Sequence, residues 1–326
     1  MDTVTASTTR PAPGAVLGAA TALFIVGTAT ATGATLNTYP VFTGQALRYA
    51  LAALVLGAVV AVRRPARARL TWRDAGLIVL LSAVGLVAFS VCQVAATRYA
   101  PASTVGTVIA ATPVALAVAG PLMARRRPSA RVTFGAFVVA AGAALATGLG
   151  PSGPAGVALA MGALAGEVGF SLLAVPLLPK LGALRVSAYS TATASPLCLL
   201  TGLAADGRDA LRMPTAGQAI GLAYMGVVVG ALAFLCWYAS LPRLRPERAG
   251  LFYGFLPIGT MVTAAVLGLG APGAADLAGG AVVIGGLVLG LWPSRPAAPA
   301  GLRHDRRTHG GVPPRADDIV SARHGR

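Results

Sequence analysis

Charge is scarce in this chain. Only 11% of its 326 residues are Asp, Glu, Lys or Arg, whereas 56% are hydrophobic, and the mean hydropathy is +0.73. Soluble domains usually carry about 25% charged residues, because their surface must stay solvated. The composition therefore excludes an ordinary soluble protein and indicates one that lies in a membrane.

Lysine, histidine and cysteine are nearly absent. The single lysine, Lys180, follows a proline, so the chain contains no Walker A sequence for nucleotide hydrolysis. The three histidines stand in the C-terminal tail, and no group of Cys, His and acidic residues has the spacing of metal ligands. Three cysteines inside apolar stretches argue against a disulfide framework. Since a GxSxG element and an intramembrane histidine are also missing, we expect no metal, no cofactor and no enzyme activity.

Ten apolar stretches are long enough to cross a membrane as helices. A hydrocarbon core of ~30 Å requires about 20 apolar residues in a helix, and the stretches lack the period-two alternation of barrel strands. They cover residues 14–36, 40–62, 75–97, 100–124, 132–150, 154–179, 186–205, 216–241, 249–269 and 274–293. The sequence therefore predicts an all-α polytopic membrane protein with ten transmembrane helices.

The distribution of basic residues predicts the orientation. Most of them follow the even-numbered stretches, within residues 63–73, 125–131, 180–185 and 243–248. The segments after the odd-numbered stretches carry few. Because basic loops stay in the cytoplasm, both termini are predicted to be cytoplasmic. The formal net charge of +16 is then mostly a signal of topology, and no nucleic-acid partner is expected.

The chain contains a weak copy of itself at an offset of 144 residues. Residues 74–148 and 218–292 share 14 identities in 75 positions, where this composition would give roughly half as many by accident. Several matched pairs are prolines and glycines, namely Gly106/Gly250, Pro113/Pro257, Pro128/Pro272, Gly135/Gly279 and Gly142/Gly286, and Cys92 matches Cys236. Because each copy would hold five helices, an odd number, the second copy must enter the membrane in the opposite sense. Inverted repeats of this kind are typical of secondary transporters.

Four regions follow from these patterns. Residues 1–13 are predicted to form a cytoplasmic tail, residues 14–150 the first five-helix repeat and residues 154–293 the second. Residues 294–326 are basic and contain proline, glycine and histidine without an apolar face. We predict that they form a disordered cytoplasmic tail.

Two segments of the first repeat resemble a known family. Residues 40–53 begin with a proline and carry Arg48 inside an apolar helix, and residues 95–114 form an Ala-rich turn that leads to a Thr-Pro pair. With the similar residues 237–257, this order resembles the EamA family of the drug/metabolite transporter superfamily. The resemblance covers residues 14–293 and implies a ten-helix permease that exports, or less often imports, small metabolites, amino acids or drugs. It also implies a central cavity lined by the first, third, fourth, sixth, eighth and ninth helices.

The chain departs from that family at the ends of two helices. The family commonly has a glutamate just after its fourth and ninth helices. This chain has arginines at 125–127 and Gly-Ala-Pro at 270–272. No role of those glutamates can be transferred to these positions.

Two charged residues, Arg48 and Glu167, stand well inside the predicted helices, and Asp276 lies at the very edge of the tenth. Glu167 lies in the middle of the sixth, where an ionised carboxylate costs about 2.5–3.5 kcal/mol on insertion scales and should face a cavity or a partner. A carboxyl group at this depth can carry a proton and exchange it for a cationic group of a substrate, so Glu167 is our candidate coupling residue. The alternative is an ion pair between Glu167 and Arg48 that holds two helices together. Arg48 could equally extend to the membrane interface.

Two prolines mark further candidates. Pro113 and Pro257 would each free a carbonyl group one turn earlier, and paired broken helices are where transporter sites tend to lie. The polar and aromatic residues near these breaks are candidates for the substrate site: Gln93, Thr107, Thr112, Trp237, Tyr238, Tyr253 and Thr260. The alternative is that the kinks serve packing and that each hydroxyl is satisfied by the backbone of its own helix.

The matched glycines predict close helix packing, within the monomer or in a homodimer. The sequence as a whole predicts a secondary transporter of a bacterial inner membrane. Its expected partners are a small-molecule substrate, a proton as coupling ion and the lipid bilayer. The alternatives left open are an uncoupled facilitator, an exchanger of organic anions or nucleotide sugars, and a non-transporting membrane scaffold.

Overall fold

The described part of the chain is built from helices alone. A computed structural model describes residues 12–32, 36–64, 69–148, 152–268 and 273–292, which form ten helical segments. They are α1 (Pro13–Thr28), α2 (Val41–Arg63), α3 (Trp72–Ala96), α4 (Ala102–Met123), α5 (Ala130–Thr147), α6 (Pro154–Leu172), α7 (Leu178–Asp206), α8 (Ala216–Leu244), α9 (Pro246–Val266) and α10 (Ala274–Leu291).

Seven of these helices are long and apolar enough to cross a bilayer: α2, α3, α4, α6, α8, α9 and α10. Two shorter helices, α1 and α5, are apolar as well, and α7 changes direction at Gly182, which has a φ of +72°. The prediction of an all-α membrane protein is confirmed. The count of ten transmembrane helices and the cytoplasmic position of the termini stay predictions. The predicted tail 294–326, and residues 1–11 of the predicted tail 1–13, lie outside the described residues.

The two halves of the chain start and bend their helices in the same way. α3 begins with a capping box in which Thr71 and Asp74 bond to each other's backbone N–H groups, and α8 begins with the same box between Thr215 and Gln218. These positions differ by 144 residues. Both helices then widen into a π-helical stretch, at Ala83–Ala88 in α3 and at Met225–Leu232 in α8. The repeat therefore extends to local backbone geometry.

The glycine seam between α5 and α10 follows the same offset. A Cβ atom on Gly135 would lie 2.7 Å from the Cα of Gly290. On Gly279, the counterpart of Gly135, it would lie 2.9 Å from Ala146, the counterpart of Gly290. A contact between residues i and j thus recurs between i+144 and j−144, which is the relation of a two-fold axis. The glycines that the sequence matched meet within one chain and let two backbones touch.

The same two-fold relation holds for the contacts of α1 and α6. A Cβ atom on Gly162 of α6 would lie 2.9 Å from the sulfur of Cys92, and on Gly18 of α1 it would lie 3.5 Å from the carbonyl oxygen of Cys236. α1 packs on α8 and α9, α6 packs on α3 and α4, and the pairs α2/α7 and α5/α10 are in close contact. The pairing is unchanged when each helix is replaced by the one five places away. All ten helices belong to one compact unit.

Candidate functional site

A cavity of about 440 Å³ lies between the two halves of the helical body. All six helices that the resemblance implied contribute to its lining, and α2, α5 and α10 contribute as well. Most lining side chains are apolar or aromatic, with a small number of polar groups. This is the usual composition of a small-molecule site.

The cavity reaches one end of the helices and is closed at the other. We call the end that carries Arg63, Arg64, Arg125, Arg126, Arg127, Arg243, Arg245 and Arg248 the basic end, and the other the opposite end. Lining residues such as Gln93, Ala146 and Asp276 stand near the opposite ends of their helices, and none comes from the loops at the basic end. There the interior is filled by buried side chains, including Leu241 and Leu244.

The acidic side of the cavity is formed by three residues from α6, α8 and α9. The hydroxyl of Tyr253 donates a hydrogen bond of 2.5 Å to Oε1 of Glu167. The ring of Trp237 meets the Tyr253 ring edge-on, with centroids 5.4 Å apart and an angle of 86°. Edge-to-face pairs contribute about 0.5–1.5 kcal/mol beyond the area that they bury. Tyr253 is therefore held between the carboxyl group and the indole.

The indole nitrogen of Trp237 is buried and has no hydrogen-bond partner among the described residues. Trp237 as a whole is only 3% exposed and lines the cavity. A buried donor without a partner is costly. It leaves one hydrogen bond for an occupant of the cavity to make.

Arg48 stands on the other side of the cavity and is held by its own helix. Its Nε donates to Oε1 of Gln45, one turn earlier, and its Nη2 donates to the hydroxyl of Tyr49 at 2.7 Å. The guanidinium also lies 4.4 Å from the centre of the Tyr49 ring. No carboxylate of the described residues is within ion-pair distance of Arg48. The ion pair between Arg48 and Glu167, one alternative from the sequence, is therefore not formed in this conformation.

Aromatic rings connect the two sides. Phe170 of α6 lies 4.8 Å from Phe234 and 5.0 Å from Tyr238, both of α8, and Phe234 lies 6.4 Å from Tyr49 (centroid distances). Tyr49, Phe170 and Phe234 line the cavity. A π face attracts cations and packs well on apolar groups. The floor of the cavity thus suits an organic molecule with an apolar body.

Seven of the eleven predicted site residues line this cavity: Arg48, Gln93, Glu167, Trp237, Tyr253, Pro257 and Thr260. The remaining four, Thr107, Thr112, Pro113 and Tyr238, are not among its lining residues. The Thr107 hydroxyl donates to the carbonyl of Gly148 at 2.7 Å, and the Tyr238 hydroxyl to the carbonyl of Phe170 at 3.3 Å. Placement in the lining does not by itself test a role in binding.

The predicted helix breaks are present. α4 is interrupted between Ile109 and Thr112, just before Pro113. The Thr112 hydroxyl donates to the Ile109 carbonyl at 2.5 Å, so the carbonyl freed by the proline is satisfied within the helix. α9 has a 3₁₀ stretch over Gly250–Gly254 before its last α-helical part. The Thr112 hydroxyl is thus bonded to the backbone of its own helix, and a role of Thr112 in substrate binding stays a prediction.

Sequence reasoning missed several lining residues, among them Gln45, Tyr49, Phe170, Phe234 and Asp276. A helical signal was available for three of them. Gln45 precedes Arg48 by three positions, Phe234 precedes Trp237 by three, and Phe170 follows Glu167 by three. Residues three apart share a helix face.

The backbone around the cavity follows the two-fold relation, whereas the side chains that line the cavity differ between the two halves. Under the offset of 144, Glu167 corresponds to Leu23, and Trp237 corresponds to Gln93. All four line the cavity. The acidic group therefore belongs to one half alone, and a substrate would meet different chemistry on the two sides.

Comparison with known proteins agrees with this architecture. Residues 12–148 and 154–292 each match the EamA-like transporter family. YetK, an uncharacterized transporter of Bacillus subtilis (strain 168), is 24% identical over 262 residues, which are 78% of this chain and 79% of YetK. A solved crystal structure of a protein has the same fold, with a TM-score of 0.72 and 20% identity over 86% of this chain and 96% of the solved one. Since the two family matches together span most of the sequence and coincide with its two halves, the chain belongs to the EamA-like transporter family and is a multi-pass membrane transporter.

Proposed function

We propose that this transporter is a secondary carrier of small organic solutes that works by alternating access through the central cavity. The observation that carries the proposal is the closed, acid-containing floor of a cavity that reaches only one end of the helices. Alternating access would move the opening from one end to the other around a fixed site. The carrier would have ten transmembrane helices as two inverted repeats.

We place it in the plasma (inner) membrane of a bacterium, with both termini in the cytoplasm. The basic end would face the cytoplasm, since arginine-rich loops are retained there. The cavity would then be open to the outside. Export is the proposed direction, by analogy with what the family resemblance implies.

Glu167 is the proposed coupling residue. Its carboxyl group lies at the cavity floor and bonds only one side chain among the described residues, the Tyr253 hydroxyl. An occupant with a cationic or hydrogen-bonding group could replace a proton there. The aromatic rings beside it would hold an apolar body or a cation. Small metabolites, amino acids and drugs fit these properties.

One observation favours a second candidate. Arg48 lines the cavity and contacts neutral acceptors, so its charge is available to an anionic group. A carboxylate or phosphate could bind it through two hydrogen bonds. This favours an uncoupled facilitator or an organic-anion exchanger, in which Glu167 would be dispensable.

The test uses purified protein in liposomes that contain a pH-sensitive dye. Amino acids, polyamines and lipophilic cations are added singly under an imposed proton gradient. We expect substrate-dependent proton flux in the natural protein, loss of that flux in Glu167→Gln, and retention in Asp209→Asn, which removes an exposed acid outside the cavity. Full gradient-driven transport by Glu167→Gln would remove the coupling role. Equilibration of labelled substrate without proton flux would support the facilitator.

A further inference from the structure

A second pair of charged groups lies outside the cavity, where α4 and α9 meet. Nη2 of Arg126 donates to Oε1 of Glu247 at 3.0 Å. Glu247 is 6% exposed, whereas the Arg126 side chain is 41% exposed. The second carboxylate oxygen, Oε2, is buried without a partner among the described residues. A carboxylate buried this far depends on its one ion-pair partner.

The backbone presents these two groups to each other. Arg126 follows Arg125, which has a φ of +52° just beyond the end of α4. Glu247 stands in the first turn of α9, after Arg245 with a φ of +64° and Pro246. The first turn of a helix favours a negative charge. Both charges are therefore set on tight turns at the basic end.

α4 and α9 are close at this end and separate at the other. A Cβ atom on Gly120 would lie 3.3 Å from Pro246 and from Glu247, and on Gly250 it would lie 3.0 Å from Leu116. The first part of α4, Ala102–Ile109, makes no comparable contact with the last part of α9. Between those parts lies the cavity, lined there by residues of both helices. The ion pair thus joins the two helices where the cavity is closed.

The two-fold relation identifies the positions at the opposite end that correspond to Arg126 and Glu247. In an inverted-repeat carrier, exchanging the conformations of the two repeats converts one state into the other. Under the offset of 144, the positions that correspond to 126 and 247 are 270 and 103. These are Gly270 and Ser103, which carry no charge. The ion pair can exist in only one of the two states.

We infer that Arg126 and Glu247 form a latch that holds the basic end closed and biases the carrier toward the conformation open at the opposite end. The inference rests on the proposed alternating access. Each transport cycle would break this ion pair and form it again. With the basic end in the cytoplasm, the latch would keep the empty carrier open to the outside.

A second ion pair at the same end provides the matched control. Lys180, in the first turn of α7, contacts Asp74 at the start of α3. The counterpart of Asp74 is Gln218, whose amide donates to the Thr38 hydroxyl at 3.2 Å near the opposite end. Contacts of this type are present at both ends at once. We expect the helices joined by these contacts to keep their relative arrangement in both conformations of the carrier. Removing the charge of Asp74 should therefore leave the ratio of the two conformations unchanged.

The experiment measures the distance between spin labels at Ala102 and Val266 by electron–electron double resonance. Both residues are exposed, and they are the two-fold counterparts of Pro246 and Leu122 beside the latch. The natural cysteines are replaced by alanine first. When Arg126 and Glu247 are unchanged, the long distance between the two labels should dominate. Removing a charged hydrogen bond typically changes an equilibrium about tenfold, so Glu247→Gln and Arg126→Gln should each raise the ratio of short to long distances by about that factor.

The outcomes are separable. Asp74→Asn should keep the distribution of the unmodified latch, and the exchange of charges in Arg126→Glu with Glu247→Arg should restore it. Unchanged distributions in both single variants would overturn the latch. Because Arg126 is partly exposed, the variant Arg126→Gln should fold. It therefore gives a distance measurement even if Glu247→Gln does not fold. The distance requires no substrate, so the latch can fail while the proposed transport stands, and proton flux can fail while the distances still respond.

Discussion

Adding one methyl group to the seam between α5 and α10 should destabilise the protein equally from either side. A Cβ atom on Gly142 would lie 2.8 Å from the carbonyl oxygen of Gly279 and 2.8 Å from the nitrogen of Val283. On Gly286, the two-fold counterpart of Gly142, it would lie 2.9 Å from the carbonyl oxygen of Gly135 and 2.7 Å from the nitrogen of Val139. Both new methyl groups would press on backbone, which cannot turn aside as a side chain can.

The magnitude follows from these distances. Non-bonded heavy atoms are best placed about 3.5–4.0 Å apart, so the two helices must move apart by several tenths of an ångström. Overpacking of this kind commonly costs about 1–3 kcal/mol. Replacing glycine by alanine in a helix returns about 0.5–1 kcal/mol. Gly142→Ala and Gly286→Ala should therefore each lower the free energy of unfolding by about 1 kcal/mol, within a range of about 0–2.5 kcal/mol.

Gly285 is the control in the same helix, because a Cβ atom there would meet nothing within 4 Å. Gly285→Ala should leave the free energy of unfolding unchanged or raise it. The double variant Gly142→Ala with Gly286→Ala should lose less than the sum of the single losses, since both methyl groups separate the same helices.

The assay is unfolding in mixed micelles with increasing denaturing detergent, followed by tryptophan fluorescence. Equal effects of Gly142→Ala and Gly285→Ala would show that the seam is not closed as described. A difference of more than about 1 kcal/mol between Gly142→Ala and Gly286→Ala, well above the error of comparing independent sites, would contradict the two-fold relation.

Two further predictions concern the cavity and a helix start. Tyr253→Phe keeps the ring beside Trp237 but removes the 2.5 Å hydrogen bond to Glu167, so substrate-dependent proton flux in liposomes should fall about tenfold; a flux equal to that of the natural protein would remove this role of the hydroxyl. Thr215→Ala removes the cap of α8 and should lower the free energy of unfolding by about 1 kcal/mol without changing the flux per folded molecule. A loss of flux larger than the loss of folded protein would place the α8 cap in the transport cycle.

Much of the fold could be predicted from the sequence because its signals are local. Hydropathy marked the helices, and prolines 113 and 257 marked the breaks in α4 and α9. The offset of 144 residues predicted which glycines correspond, and the structure brings those glycines together within the chain. Arginine placement distinguished the two ends of the helices. These features depend on residue type and spacing alone.

The pairing of polar side chains was decided only by the tertiary structure. The sequence offered Arg48 as a partner for Glu167, but Arg48 bonds to Gln45 and its neighbouring tyrosine, and Glu167 accepts from Tyr253. Nothing in the sequence around Glu247 marks it as buried, yet it is the buried partner of an arginine 121 positions away. Each residue turns a helix by about 100°, so small rotations of packed helices decide which groups meet. The apolar pattern of a single membrane helix carries little information on that rotation, whereas packing against its neighbours determines it.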